Sequence, residues 1–229
     1  MKKNTSKRYK KLLEASKDKK IENIDEAIKK IKKNCTAKFD ESIDVSFFLN
    51  LKNKKEEATL RTVVNLPNGN GKKVKVAVLC EESKVKEAKD AGAEIAGADN
   101  LIEDINKGKI NFDKLISTPT MMPKMGKLGK ILGPKGLMPN PKLGTVTSDI
   151  KNAVKLLKAG QIEIKNDPDG NIAASIGKKS FSDNKLKENF NTFKQTILKE
   201  KPSLIKGDYI LSAFLTSTMG VSCKLKIEK

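Results

Sequence analysis

Pro67-Asn68-Gly69-Asn70-Gly71 leads into Lys73–Leu79, and the grammar of the chain changes across that junction. Five consecutive turn formers end whatever precedes them. Beyond them, the β-branched run Lys73–Leu79 predicts a strand, and Ser83–Ala91 predicts a helix ending at Gly92. A short extended piece over Glu94–Ala96, a helix over Asp99–Asn106 ending at Gly108, and a strand over Phe112–Ser117 follow. A last helix, Ser148–Lys158, puts Ile150, Ala153, Val154 and Leu157 on one face and has Gly160 as its C-cap. Strands alternating with helices are the signature of a small parallel α/β domain.

The segments on either side follow another style. Before the junction, Ile24, Ala27, Ile28 and Ile31 repeat at helical spacing over Asp25–Asn34, with Asp25 and Glu26 at the positive end of the helix dipole. Two strand-like runs, Ser42–Leu51 and Leu60–Leu66, come next, with the lysine-rich Lys52–Glu57 turning between them. After the α/β stretch, Gln161–Asn166 and Asn171–Ile176 flank Asp167-Pro168-Asp169-Gly170, which reads as a hairpin turn. Ser182 is placed to cap a long helix facing inward through Leu186, Phe190, Phe193 and Ile197. Strands over Tyr209–Ser217 and Val221–Glu228 finish the chain. The fold class expected is α/β (α+β) with two domains. Residues 1–67 plus 158–229 form an antiparallel-sheet α/β sandwich, and residues 68–157 a Rossmann-like insert, with the two connections acting as a hinge.

Lysine and arginine outnumber acids 47 to 28, giving a formal charge of +19 and a pI near 9.7. So large an excess opposes compaction and suits a polyanionic partner, nucleic acid above all. A lysine-favouring proteome accounts for lysine over arginine, only Arg8 and Arg61 being present, but not for lysine far above glutamate. No histidine occurs, which removes the commonest general base and metal ligand. Cys35, Cys80 and Cys223 are too far apart for a CxxC-type zinc site, and their odd number fits a reducing cytosol. No catalytic residue, metal or cofactor is therefore expected. No apolar run reaches the roughly 18 residues that span a bilayer. Met1–Lys20 carries nine basic residues and no apolar h-region, so a basic arm along RNA is the reading preferred to a transit peptide.

Three stretches could carry chemistry. From Lys114 to Ser148 there are six lysines and no acid, with the glycine- and proline-punctuated run Met121–Lys142 at its centre. Glycine lets a backbone approach phosphate, and lysine supplies point charge. A phosphate-binding loop would need Ser or Thr after GxxxxGK, and no GxGxxG follows a strand, so a nucleotide-binding enzyme is disfavoured. A basic loop touching RNA, with Lys130, Lys135 and Lys142 as secondary contacts, or simply a structured surface loop, is preferred. Met121, Met122 and Met125 read as core filling rather than a ligand groove. In Thr36–Ser42, Phe39 beside Lys38 is placed either to stack on a base or to fill a helix–strand junction. In Thr216–Gly220, consecutive hydroxyls before a glycine suit ribose 2′-hydroxyls, or simply end a strand. No helix-turn-helix or zinc pattern supports a DNA-binding regulator.

Taken together, Ile131–Lys142 (ILGPKGLMPNPK), Lys7-Arg8-Tyr9, Ala37–Glu41, Lys158–Glu163 and Ser217–Gly220 resemble, in order and end to end, segments of the ribosomal protein L-one family in its bacterial form. The resemblance implies an L-shaped molecule of two domains, with the domain built from both termini carrying most of the RNA contact. It implies an rRNA site of Lys38, Phe39, Ser42, Ser217, Thr218, Met219 and Gly220, with Gly160, Glu163 and Lys165 on the neighbouring strand. The family usually has threonine where Ser42 stands, and often proline where Val221 stands. It further implies a cytoplasmic, ribosome-bound protein, monomeric when free, with no small-molecule substrate. Its partners would be large-subunit rRNA, the large ribosomal subunit, exit-site tRNA and its own operon mRNA. The work expected is binding: forming the mobile stalk, guiding deacylated tRNA out, and repressing translation.

Overall fold

The computed structural model describes residues 6–16, 21–51, 60–202, 205 and 207–227. Along the chain run helices α1 (Lys7–Ala15) and α2 (Ile24–Asn34), then strands β1 (Ser42–Leu49), β2 (Arg61–Asn65) and β3 (Val76–Leu79). Next come α3 (Val85–Asp90), β4 (Ile95–Gly97), α4 (Asp99–Asn106), β5 (Lys114–Ser117) and two single helical turns, α5 (Met122–Met125) and α6 (Gly129–Leu132). Last come α7 (Ile150–Ala159), β6 (Gln161–Lys165), β7 (Asn171–Lys178), α8 (Asp183–Lys199), β8 (Ile210–Ser217) and β9 (Cys223–Leu225). The chain divides into two compact units, Met1–Gly71 with Ile162–Lys229, and Lys72–Gln161.

In the first unit, β7-β1-β8-β9 form a four-stranded sheet in that order, antiparallel throughout. Strand β1 buries Ile43, Val45, Phe47 and Leu49 in alternation, so one face of the sheet is apolar. Helices α2 and α8 pack on that face. Ala27, Ile28 and Ile31 of α2 meet Leu186, Phe190, Phe193 and Ile197 of α8 in one core. The Phe47 ring lies 5.9 Å from that of Phe190, edge-on, and 5.4 Å from that of Phe193. The inward face of α8 is the one its spacing predicts. Ser182 holds the cap position, but its side chain accepts no hydrogen bond from the helix.

Sequence adjacency misleads about pairing here. The turn at Asp167–Gly170 exists, closed by Gly170 N–H donating to Asp167 O at 3.0 Å. The strands it joins are nevertheless in different sheets: β7 pairs with β1, while β6 pairs with β2 in a separate two-stranded sheet. Burial decides this. A strand as apolar as β1 needs a neighbour on each side, and β7 and β8 supply them. The Lys52–Glu57 turn lies outside the described residues, as do the ends of the basic N-terminal arm. Between those ends the arm forms α1, capped by the Ser6 hydroxyl accepting from Tyr9 N–H at 3.3 Å.

In the second unit, β4-β3-β5 is wholly parallel. Its central strand is buried on both faces, with Val76 and Val78 on one side and Ala77 and Leu79 on the other, which is why it reads as a continuous apolar run. Helices α3 and α7 contribute Ala88, Ile150, Ala153, Val154 and Leu157 to the first core. Helix α4 contributes Leu101 and Ile105 to the second. The expected basic loop is here mostly helix. Residues 119–132 wind through short 3-10 and α turns that bury Met121, Met125, Leu128 and Leu132 against Leu79 and Leu115. The 4-3-4 spacing of those four residues is helical, and burial of that face outweighs the glycines and prolines on the other.

One buried amide fastens the junction between units to the core of the first. Asn189 of α8 is fully buried, and its carboxamide donates to Gly69 O at 2.8 Å and to Ile176 O at 2.7 Å while accepting from Asn68 N–H at 3.1 Å. Asn189→Leu keeps the branched shape, though not the size, and strands three backbone groups. It should cost about 2–4 kcal/mol, read as a lower urea midpoint at unchanged m-value; an unchanged midpoint would mean that solvent satisfies those groups.

Candidate nucleic-acid interface

Strands β1 and β8 run side by side with Ile43 opposite Ser217, so the segments that precede β1 and follow β8 emerge together. Thr218 closes the register. Its backbone N–H donates to Ser42 O at 3.1 Å, and its hydroxyl accepts from Ser42 N–H at 3.0 Å while donating to Ser42 O at 3.3 Å. Ser42 Oγ in turn accepts from Lys178 Nζ at 2.9 Å, which fixes the strand end from the β7 side.

Beneath these contacts lies Glu41, which is fully buried. One carboxylate oxygen accepts from Ala37 N–H and the other from Met219 N–H, each at 3.1 Å. Burial alone would raise the Glu41 pKa. The Ser217 hydroxyl beside it, the two amides and the Arg8 guanidinium outweigh that cost and hold the carboxyl below its ordinary value of 4.5. Ser217 Oγ, itself buried, closes no well-formed hydrogen bond. Arg8 clamps the same two segments from outside, donating to Thr36 Oγ1 at 3.0 Å and to Met219 O at 2.8 Å. Asp40 accepts from the amide and the hydroxyl of Ser180.

Held in this way, both segments present side chains outward. Phe39 is 53% exposed and Met219 48%, and Lys38 and Thr218 are exposed too. Phe39 is thus no core residue. Gly220 donates its N–H to Ser217 O at 3.1 Å, and a Cβ there would stand 2.3 Å from Ser217 Oγ, so any side chain would force the buried Ser217 hydroxyl to move. The surface offers one flat ring, cations, a flexible thioether and bare backbone. That is the chemistry of stacking, phosphate contact and close approach to ribose.

The structure therefore brings together Lys38, Phe39, Ser42, Ser217, Thr218, Met219 and Gly220. Gly160, Glu163 and Lys165 are not on the neighbouring strand of that sheet. Glu163 and Lys165 belong to β6, whose partner is β2, and Glu163 is engaged by Arg61 at 2.7 Å. Gly160 is the left-handed C-cap of α7, at φ 107°. Lys130, Lys135 and Lys142 are exposed in the second unit. Sequence reasoning missed Glu41 and Arg8 as the parts that hold the surface in shape. A signal existed for Arg8: with only two arginines among 47 cations, each is used where a planar fork binds two acceptor atoms or one carboxylate. Among the described residues no group of cysteine and carboxylate side chains is placed to hold a metal ion, and no helix is long and apolar enough to cross a membrane.

Comparison with known proteins bears on the same residues. The profile of the Ribosomal protein L1p/L10e family matches residues 28–221. The large ribosomal subunit protein uL1 of Pelagibacter ubique (strain HTCC1062) is 60% identical over 225 residues, covering 98% of each chain. The uL1 of Prochlorococcus marinus (strain NATL1A) is 49% identical over 99% of this chain and 96% of its own. That of Rickettsia akari (strain Hartford) is 47% identical over 90% and 86%. The resemblance carried by the sequence segments is borne out: the chain belongs to the Ribosomal protein L1p/L10e family.

Proposed function

We propose that the chain binds large-subunit rRNA through the surface made by residues 38–42 and 217–220, and works by that binding alone. As a family member it is a structural protein of the large ribosomal subunit in the cytoplasm and not an enzyme. The observation that carries the RNA reading is the Glu41 carboxylate. It spends two buried hydrogen bonds to hold an exposed ring, a lysine and a bare-backbone turn side by side, on a chain of charge +19. The unit containing both termini is then the RNA-binding domain, and the parallel-sheet unit its accessory.

Finer roles follow from the family resemblance. The chain forms the mobile stalk, meets exit-site tRNA and helps deacylated tRNA leave. It also represses its own operon, whose mRNA competes for the same surface as the rRNA. In binding, Phe39 stacks, Lys38 meets phosphate, and Gly220 admits the ribose, while shape and 2′-hydroxyls rather than base edges set selectivity.

Filter binding to rRNA fragments across a salt series tests this. With about six phosphates neutralised, log affinity should fall against log salt with a slope of roughly −4 to −5; a flat response contradicts the reading. Thr218→Val leaves Ser42 N–H without its acceptor and loosens the strand end, and should weaken RNA binding by about 1–3 kcal/mol. Glu41→Gln turns an amide NH2 against one of two backbone N–H groups, and should weaken binding at least about tenfold in a protein that still folds. Because folding lowers the Glu41 pKa, its contribution to stability is fully present above 4.5 and is lost as pH falls through the lower folded value. Acid unfolding of Glu41→Gln should lack that component.

A further inference from the structure

Two side-chain contacts tie residues 68–71, where the first unit hands the chain over, to the end of β7. Asn189 reaches Asn68 N–H and Gly69 O and, with the same carboxamide, Ile176 O. Gly71 makes the other. It sits at φ +73°, and a Cβ there would stand 2.7 Å from Lys178 Cγ and 3.2 Å from the Phe181 ring. Cγ is close to the root of the lysine side chain, so a larger residue at 71 moves Lys178 as a whole. Strand β7 is also irregular here. Ile43 pairs with Gly177 and Asp44 with Ser175, which leaves Ile176 as an extra residue in the ladder. A bulge of this kind bends its strand and re-aims the side chains that follow it.

Those side chains grip the segment that leads into β1. Lys178 Nζ donates to Ser42 Oγ at 2.9 Å, and Lys179 Nζ to Cys35 O at 2.8 Å. Lys179 N–H donates to Glu41 O at 2.8 Å. Ser180 adds its amide and hydroxyl to the Asp40 carboxylate at 3.1 and 2.8 Å. Every acceptor lies within residues 35–42, the stretch that presents Lys38 and Phe39. Both ammonium groups are thus aimed at the protein's own oxygens.

We propose that residues 176–180 are a positioning element that relays the backbone of residues 68–71 to the RNA surface. Lys178 is its moving part, and neither Lys178 nor Lys179 is a phosphate contact. The conformation at Gly71 thereby sets how well residues 38–42 are ordered for RNA. The proposal rests on the RNA-binding reading above and adds what governs that surface.

The test uses the full chain and purified large-subunit rRNA, with filter binding across a salt series. Lys178→Met keeps an unbranched stem and removes the ammonium. It should weaken binding about three- to tenfold and leave the slope of log affinity against log salt unchanged, whereas loss of a phosphate contact would flatten the slope by about 0.7–0.9. Gly71→Asn adds a Cβ in a residue that tolerates positive φ, and should weaken binding by a similar factor. Added to Lys178→Met it should cost nothing more, because both changes act through the same ammonium. A purely structural role at either position would lower the unfolding temperature and leave the affinity of the folded protein as it was. The proposal is overturned if Lys178→Met keeps full affinity or flattens the slope, if Gly71→Asn binds as the parent does, or if the two losses add. Failure of the unsubstituted chain to bind rRNA at all would instead remove the reading on which the proposal stands.

Discussion

The pairing of β1 with β8 is the constraint on which the molecule depends, because Ser42 and Thr218 are 176 residues apart and their contact closes most of the chain into a ring. Bringing such distant segments together costs loop-closure entropy, though the cost rises only slowly with length. Burial of Ile43, Val45, Phe47 and Leu215 offsets it, and Glu41 locks the result with one amide from each side of the closure. The parallel-sheet unit sits inside that loop with two cores of its own, so its length need not weaken the closure.

A buried carboxylate is usually a liability, and Glu41 shows the condition under which it is not. Two backbone amides, a hydroxyl and a guanidinium surround it, so the charge is satisfied locally and its pKa falls although burial pushes the other way. The carboxylate has two acceptor atoms at a fixed spacing, and the two segments it joins are thereby held at a fixed spacing too. Rigid support under an exposed surface lets Phe39 and Met219 stand in solvent without collapsing onto the sheet. Preorganisation of that kind lowers the ordering cost of binding at such a surface.

The parallel-sheet unit divides its glycines by physical cause. Some satisfy a left-handed turn and one relieves a contact with a carbonyl, while Gly126 and Gly129 answer to nothing inside the protein. The same division holds for its lysines, since Lys124 and Lys158 are tied to Asp99 and Glu94 and others face only solvent.

Much of this could be read without coordinates. The helix over Asp99–Asn106, the inward row Leu186, Phe190, Phe193 and Ile197, and the alternation that makes β4-β3-β5 parallel all follow from local spacing, because a helix or strand buries residues at a period written in its own sequence. The family segments likewise pointed to Phe39 and Thr218–Gly220, which the fold brings to one exposed surface. Three things were decided only in three dimensions. Residues 121–132 look like a loop by composition, yet became helix once Leu79 and Leu115 offered their side chains a core. Strand β6 left its sequence neighbour β7 for β2, because pairing is set by which faces can be buried together and not by the turn that joins them. Glu41 became the support of the site because its second acceptor atom meets an amide 178 residues away, and no local pattern encodes a contact whose partner is supplied by the far end of the chain.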